Sequence, residues 1–315
     1  MRMALVTGAA GFIGSHVVDE LLVANWSVLA LDNFDPFYGR EIKNRNLVRH
    51  FGDERFSLLH ADVRDLRSLK ELIREPPDII IHLAAKVGVR TSVVEPQEYY
   101  DVNVLGTLNM LELARHLAVK GFVFASSSSV YGINPNVPWL EEDQPMMPIS
   151  PYAATKTSGE MLGHVYAHQY GIRFIALRLF TVYGPRQRPD LAIHKFSALM
   201  RENKAIPVFG SGDSRRSYTF IGDCVKGVIA AVGYTGSMYE VINIGNPHTT
   251  SLIELIEALE AASGLKASIE WLPSQSGDVP VTWASVVKAE RLLGYRAETS
   301  LQAGLLAFLD WSNGG

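Results

Sequence analysis

The chain has 315 residues, 47% of them hydrophobic, and a formal net charge of −4. That length allows a large α/β core, as one domain or as a main domain with a smaller lobe, and the mild acidity speaks against nucleic acid or an anionic membrane as partner. A single cysteine, Cys224, excludes an intramolecular disulfide and a multi-cysteine metal site; it sits at an expected helix start and reads as a packing residue. Met1 leads straight into an apolar strand, leaving no room for a signal peptide, and no apolar run is long enough to span a membrane, so a cytoplasmic protein is expected.

The stretch from Met3 to Asn33 reads as strand, glycine turn, helix and second strand. Met3–Val6 is continuously apolar, as in a strand buried on both faces. Gly8, Gly11 and Gly14 follow, and Val17, Val18, Leu21 and Leu22 continue at helical spacing. Glycines let backbone approach a pyrophosphate, and a helix start offers free N–H groups to it. Asp32 closes the second strand, SVLALD, where a ribose 2′-hydroxyl would sit. The acid would repel a 2′-phosphate and no arginine directly follows it, so NAD is expected rather than NADP.

Downstream, NFDPFYGREIKNRNLVRHFGDERF reads as a loop with a short helix, FSLLHADV as a third strand ending in Asp62 and Val63, and DIIIHLAA as a fourth. Leu83 and the small Ala84 and Ala85 end that fourth strand, where a ligand passes in sheets of this kind. His82, set among isoleucines, reads as a buried, hydrogen-bonded core residue. KVGVRTSVVEPQEYY reads as a loop, DVNVLGTLNMLELARHLA as a long amphipathic helix, and GFVFASSSSVYG as a fifth strand breaking into serines. Pro151 opens a helix on which Tyr152 and Lys156 share a face, and IRFIALRL is the sixth strand.

From Phe180 the alternation becomes less regular. A cationic loop carries Arg186 and Arg188, and short strands then mix with helices to the end. The expected fold is α/β: a Rossmann-type doubly wound parallel sheet over residues 1–180, with a smaller C-terminal substrate-binding lobe over 181–315, some of whose segments can return to the sheet. No repeat, low-complexity tract or linker separates the two.

The glycine spacing G-x-x-G-x-x-G in TGAAGFIGSH, the serine cluster and the Tyr-x-x-x-Lys pair, in that order, resemble the extended short-chain dehydrogenase/reductase family, whose members modify sugar nucleotides. The resemblance covers nearly the whole chain. It implies NAD contacts from Gly8, Gly11, Phe12, Ile13, Gly14, Asp32, Asn33, Asp62, Val63, Leu83, Ala84 and Ala85, with Asp62 and Val63 beside the adenine. Free tyrosine ionises near pH ~10; a lysine ammonium one turn away and the positive nicotinamide would stabilise its phenolate. The family roles follow: Tyr152 exchanges the proton of a sugar hydroxyl, Lys156 holds the nicotinamide ribose, and Ser127 hydrogen-bonds the same hydroxyl.

Family dehydratases carry Asp-Glu after that serine, and decarboxylases carry a Glu before Val-Tyr-Gly. Here Ser128 and Ser129 stand there, which removes the acid and base of dehydration and the usual carboxylate of decarboxylation. A UDP-sugar reader is implied by Arg216 on the diphosphate, Phe209 against the uracil and Asp278 near the ribose, with Arg90 a weaker candidate. Thr181 in RLFTVYG, Gln275, GPRQRPDLA and HLAAKVGVR depart from the neutral-sugar 4-epimerases and resemble the UDP-glucuronate 4-epimerase branch. There Ser127, Ser128, Ser129, Thr181 and Arg188 would surround a C6 carboxylate. The sequence is thus expected to encode an NAD-dependent C4 epimerase of UDP-glucuronate and UDP-galacturonate. The alternatives are a UDP-glucose/UDP-galactose 4-epimerase and, from another class, a non-catalytic NAD-binding regulator. Two helices near 102–117 and 152–170 match those that pair in family dimers, so a homodimer is expected, with no metal.

Overall fold

The computed structural model describes residues 1–273 and 279–314. Seven strands form one parallel sheet, in the spatial order Tyr239–Ile244, Arg173–Leu179, Gly121–Ser127, Ile79–His82, Met3–Thr7, Ser27–Asp32, Phe56–His60. The direction of strand order reverses beside Met3–Thr7, which opens a crevice at the carboxyl ends of the central strands. Ala4, Leu5, Val6, Ile80 and Ile81 are fully enclosed, because helices cover both faces. One face packs the helix Phe12–Val23 and the later helix Ile221–Gly233, which includes the buried Cys224. The other packs Gly106–His116 and Pro151–Tyr170.

The expected α/β architecture is therefore present. The seventh strand, Tyr239–Ile244, comes from the later part of the chain and pairs residue for residue with Arg173–Leu179. A separate core of Ile193, Phe196, Met200, Leu255, Ile256, Leu305 and Phe308 gathers the helices of the smaller lobe. Short strand pairs link that lobe: Val182–Tyr183 with Thr219–Phe220, and Ile206–Phe209 with Ile269–Leu272.

Local chemistry fixes the helix that carries Tyr152 and Lys156. Ser150 caps it by accepting from Ala153 N at 3.2 Å, Pro151 supplies a preset first residue, and Gly171 ends it in the left-handed region at φ 64°. Gly159 and Gly163 press onto the rings of Phe124 and Phe174, where a β-carbon would collide. The helix therefore lies flush on the sheet. One sequence expectation fails nearby. The segment read as a loop before residue 101 is helical, in two short pieces, Val89–Val94 and Pro96–Tyr99, running into a wide turn over Tyr100–Leu105 and the helix Gly106–His116. Its β-branched and polar residues carry no clear helical period, but Pro96 preorganises a first turn and Ser92 is buried with its Oγ on Val89 O at 2.6 Å.

Candidate active site

A cleft of about 470 Å³ lies at the carboxyl ends of the strands. Its floor is the glycine turn. Gly8 sits at φ 66°, and a β-carbon there would lie 2.8 Å from Ala84 N; one at Gly14 would run into Gly8 O. Gly11 supplies no side-chain cap to the helix that follows it, and the start of that helix, Phe12 to Gly14, lines the cleft. Gly8, Gly11, Phe12, Ile13, Gly14, Asp32, Asn33, Val63, Leu83, Ala84 and Ala85 all line this half. Asp32 is buried and accepts from Ala10 N at 3.0 Å and Phe34 N at 2.8 Å. A cradle closed to β-carbons, a helix start with no side-chain cap and a carboxylate at the second strand end fit a dinucleotide. Asp62 is placed differently from its neighbour Val63: its carboxylate binds Arg64 at 2.8 and 2.9 Å and Asn33 Nδ2 at 2.9 Å, which holds it near a pKa of about 2.

The other half of the cleft gathers Ser127, Ser128, Ser129, Tyr152, Lys156, Thr181 and Arg188. Ser127 leaves its strand in extended conformation and accepts from Ser129 N at 3.2 Å, which turns the chain sharply. Lys156 Nζ donates to Ala125 O at 2.6 Å, 5.0 Å from the centre of the Phe124 ring and 6.0 Å from that of Tyr152. Burial brings the lysine down to about 7, opposed by the carboxylate of Glu160. Burial also raises the Tyr152 phenol, while the Ser127 hydroxyl and the charge of Arg188 pull it back. Arg188 forms a two-point pair with Asp190, 2.9 Å at each contact, and lies 5.7 Å over the Phe37 ring.

Three expected substrate contacts stand apart from this lining. Arg90 and Phe209 meet each other across the two lobes, guanidinium over ring at 5.6 Å. Arg216 lies in the short strand Arg215–Arg216 and donates to Arg215 O at 2.8 Å. Asp278 and Gln275 fall outside the described residues. Among the described residues no group of three or more His, Cys, Asp or Glu side chains is placed to hold a metal, and no helix is long and apolar enough to cross a membrane.

Residues 4–245 match the NAD dependent epimerase/dehydratase family. The chain belongs to that family. It is 41% identical over 315 residues to a UDP-glucuronate 4-epimerase of Thermodesulfobacterium geofontis, covering 99% of this chain and 96% of the relative. It is similar to the crystal structure of UDP-glucuronic acid 4-epimerase from Bacillus cereus in complex with UDP-glucuronic acid and NAD, with a TM-score of 0.92, 39% identity and 99% of each chain covered. A UDP-glucose 4-epimerase from Thermotoga maritima with UDP-glucose is more distant, at 32% identity and a TM-score of 0.90 over 99% of each chain.

Within this epimerase/dehydratase fold, several site-shaping residues escaped the sequence analysis. Asn103 is buried; it donates to Lys86 O at 3.0 Å and Thr155 Oγ1 at 3.0 Å and accepts from Lys86 N at 2.8 Å, tying the loop after the fourth strand to the helix of Tyr152. Lys43 is buried beside Asp32 at 3.9 Å, with its Nζ on Asp35 O at 2.9 Å. A lone asparagine or lysine in a polar helix has no spacing to mark it; only its burial does. His82 is the enclosed histidine expected, bonded to Thr7 Oγ1 at 2.7 Å and Thr107 Oγ1 at 3.1 Å, and burial holds it neutral with a pKa of about 3.

Proposed function

We propose that this protein interconverts UDP-glucuronate and UDP-galacturonate by NAD-dependent epimerisation at sugar C4, in the cytoplasm and as a homodimer. The observation that carries the reading is one half-cleft with Tyr152, Lys156, three serines and a threonine beside an arginine; the acids lining the cleft, Asp32 and Asp35, belong to the other half. Bound NAD would supply the hydride acceptor for C4 and give the hydride back. Gly8, Gly11, Gly14 and the first turn after them would hold its pyrophosphate, and Asp32 a ribose.

Tyr152 Oη takes the proton of the C4 hydroxyl and returns it after the sugar has turned over. Ser127 holds the same hydroxyl, and Lys156 stabilises the phenolate. Ser128, Ser129 and Thr181 offer hydroxyls, and Arg188 a charge, to a C6 carboxylate. Among the described residues no acid lines that half-cleft to drive dehydration, which favours return of the proton and hydride. Residues 1–180 serve mainly the cofactor and residues 181–315 mainly the UDP-sugar, with Phe209 and Arg216 as contacts from the second group. Exposed Tyr100 and Leu105 in the wide turn before Gly106–His116, and Met161 and Val165 on Pro151–Tyr170, support the homodimer.

Purified protein given UDP-glucuronate, UDP-galacturonate, UDP-glucose or UDP-galactose tests the reading. The expected result is interconversion of the two uronates without net NADH release. Turnover of the neutral pair alone would replace it with the UDP-glucose/UDP-galactose reading.

A further inference from the structure

Behind the serines lies a buried polar row that the proposed mechanism does not use. Ser126, Arg178 and Asn243 face one another in register across three adjacent strands, one residue back from the edge that carries Ser127. Glu160 sits above the row, one turn beyond Lys156 on the same helix. Its carboxylate and the Arg178 guanidinium are each only 2% exposed. They form a two-point pair, Nε to Oε1 at 2.9 Å and Nη2 to Oε2 at 2.8 Å, and Ser126 Oγ donates to the same Oε1 at 2.5 Å. Arg178 lies 4.7 Å over the Tyr131 ring, whose hydroxyl donates to Asn243 Oδ1 at 2.7 Å; Glu141 accepts from Asn243 N at 2.8 Å. Well-packed apolar residues often stabilise a core as well as a buried ion pair does, so stability alone gives little reason for this one.

We propose that Glu160, clamped by Arg178, is a positioning residue for the epimerase reaction: it fixes the start of the serine turn through Ser126 and places a carboxylate one helical turn from Lys156. The proposal rests on the roles given above to Ser127, Tyr152 and Lys156. Facing Lys156 are Glu160 and Tyr152 from its own helix and His82 from the fourth strand; Tyr99 and Arg188 face Tyr152. His82 is neutral across any assay range above about pH 4, because its pKa is about 3. Facing Glu160 are Arg178, Lys156 and Tyr239; Tyr131 and Glu141 close the far side of Arg178.

The test is the pH profile of epimerisation for Glu160→Gln and Ser126→Ala against the unmodified enzyme, with KM and bound NAD measured in parallel. Glu160→Gln keeps an acceptor for Ser126 but removes the charge. It is expected to lower kcat about tenfold with KM within about threefold, and to move the alkaline limb down by about one pH unit. Ser126→Ala is expected to lower kcat with the limb unmoved. If Glu160→Gln does not fold, Glu160→Gln with Arg178→Met leaves no orphan charge and takes its place, with a smaller shift in the same direction. An unmoved limb with kcat within twofold in a folded variant overturns the proposal, as does equal loss of NAD and sugar binding with no shift. Tyr152→Phe is assayed alongside, and UDP-glucose with UDP-glucuronate. Full activity in Tyr152→Phe, or turnover of the neutral sugar only, strikes the parent reading instead.

Discussion

The glycine cradle and the Arg188 loop face each other across one cleft and are built by opposite means. The cradle is backbone held by an enclosed strand, with no room for a β-carbon at Gly8 or Gly14. The loop is held by side chains at its base. His16 Nε2 contacts Pro185 O at 3.0 Å, Arg186 pairs with Asp19 at 2.9 Å, and Asp19 also binds Arg49 and His50. Arg186 adopts φ 63°, a left-handed conformation that costs a non-glycine residue something and needs such anchors. A region that reads its ligand by close backbone approach tolerates no change of size. A region that reads by charge is adjustable, and is where family members with different sugars can diverge.

The largest expected effect lies where the two regions meet. Tyr152→Phe removes the proton carrier and leaves both surroundings intact, so kcat should fall on the order of 10²–10⁴-fold while UDP-sugar and NAD binding persist. Turnover close to that of the unmodified enzyme in single-turnover assays would move the proton to another residue. Next comes Gly14→Ala, whose β-carbon meets Gly8 O. Overpacking of about 1–3 kcal/mol should reduce bound NAD and slow both uronate and neutral sugars alike. A selective loss, read from NAD content and paired assays, would contradict the division drawn between the regions.

Arg188→Ala probes the other side. Loss of a charged hydrogen bond, about 1.5–3 kcal/mol, should weaken UDP-glucuronate binding about 10- to 100-fold and spare UDP-glucose. Because oxidation at C4 makes a β-keto acid, carbon dioxide release should also rise. The present pairing of Arg188 with Asp190 means a carboxylate ligand must compete with Asp190. Equal losses on both sugars would leave the arginine as scaffold for the loop.

The last effect concerns acid and bears on stability rather than turnover. Burial holds His16 neutral with a pKa of about 4, below the usual 6.5, and the nearby Arg186 adds to this. Below about pH 6.5 the unfolded chain binds a proton that the folded chain refuses, so stability falls as pH drops from there through about 4, by up to on the order of 3 kcal/mol. His82, under the cradle, has a pKa of about 3, so its contribution begins at the same pH and continues further down. Melting temperatures from neutral pH to about pH 4 should decline, less steeply in His16→Gln; a flat curve would remove His16 as the weak point of the loop.

The cradle was legible because its signals are local: glycines at fixed spacing, an acid at a strand end, and Tyr152 and Lys156 on one helical face. Arg188 was found by resemblance, and its partner Asp190 lies too near in sequence to carry a pattern. Glu160, Arg178 and Asn243 carry no such signal, since strand pairing joins Arg178 to Asn243 and packing of the helix on the sheet brings Glu160 to them, and nothing in the order of residues does. Asn103 and the helical turns before it were missed because a run such as Val-Arg-Thr-Ser-Val-Val has no clear period until Ser92 and Tyr99 are buried.

The seventh strand has a consequence for how the protein is made. Arg173–Leu179 stays an unpaired edge until Tyr239–Ile244 has been synthesised, and the part of the sheet face beside Phe12–Val23 stays bare until Ile221–Gly233 arrives. A nascent chain must therefore carry an apolar edge of Phe174, Ile175 and Leu177 through some sixty residues of further translation, the stage at which unpaired strands seek partners on other chains. The last third of the protein thus covers an edge of the first two-thirds before any sugar is bound, and excising residues 1–180 alone would leave that edge bare.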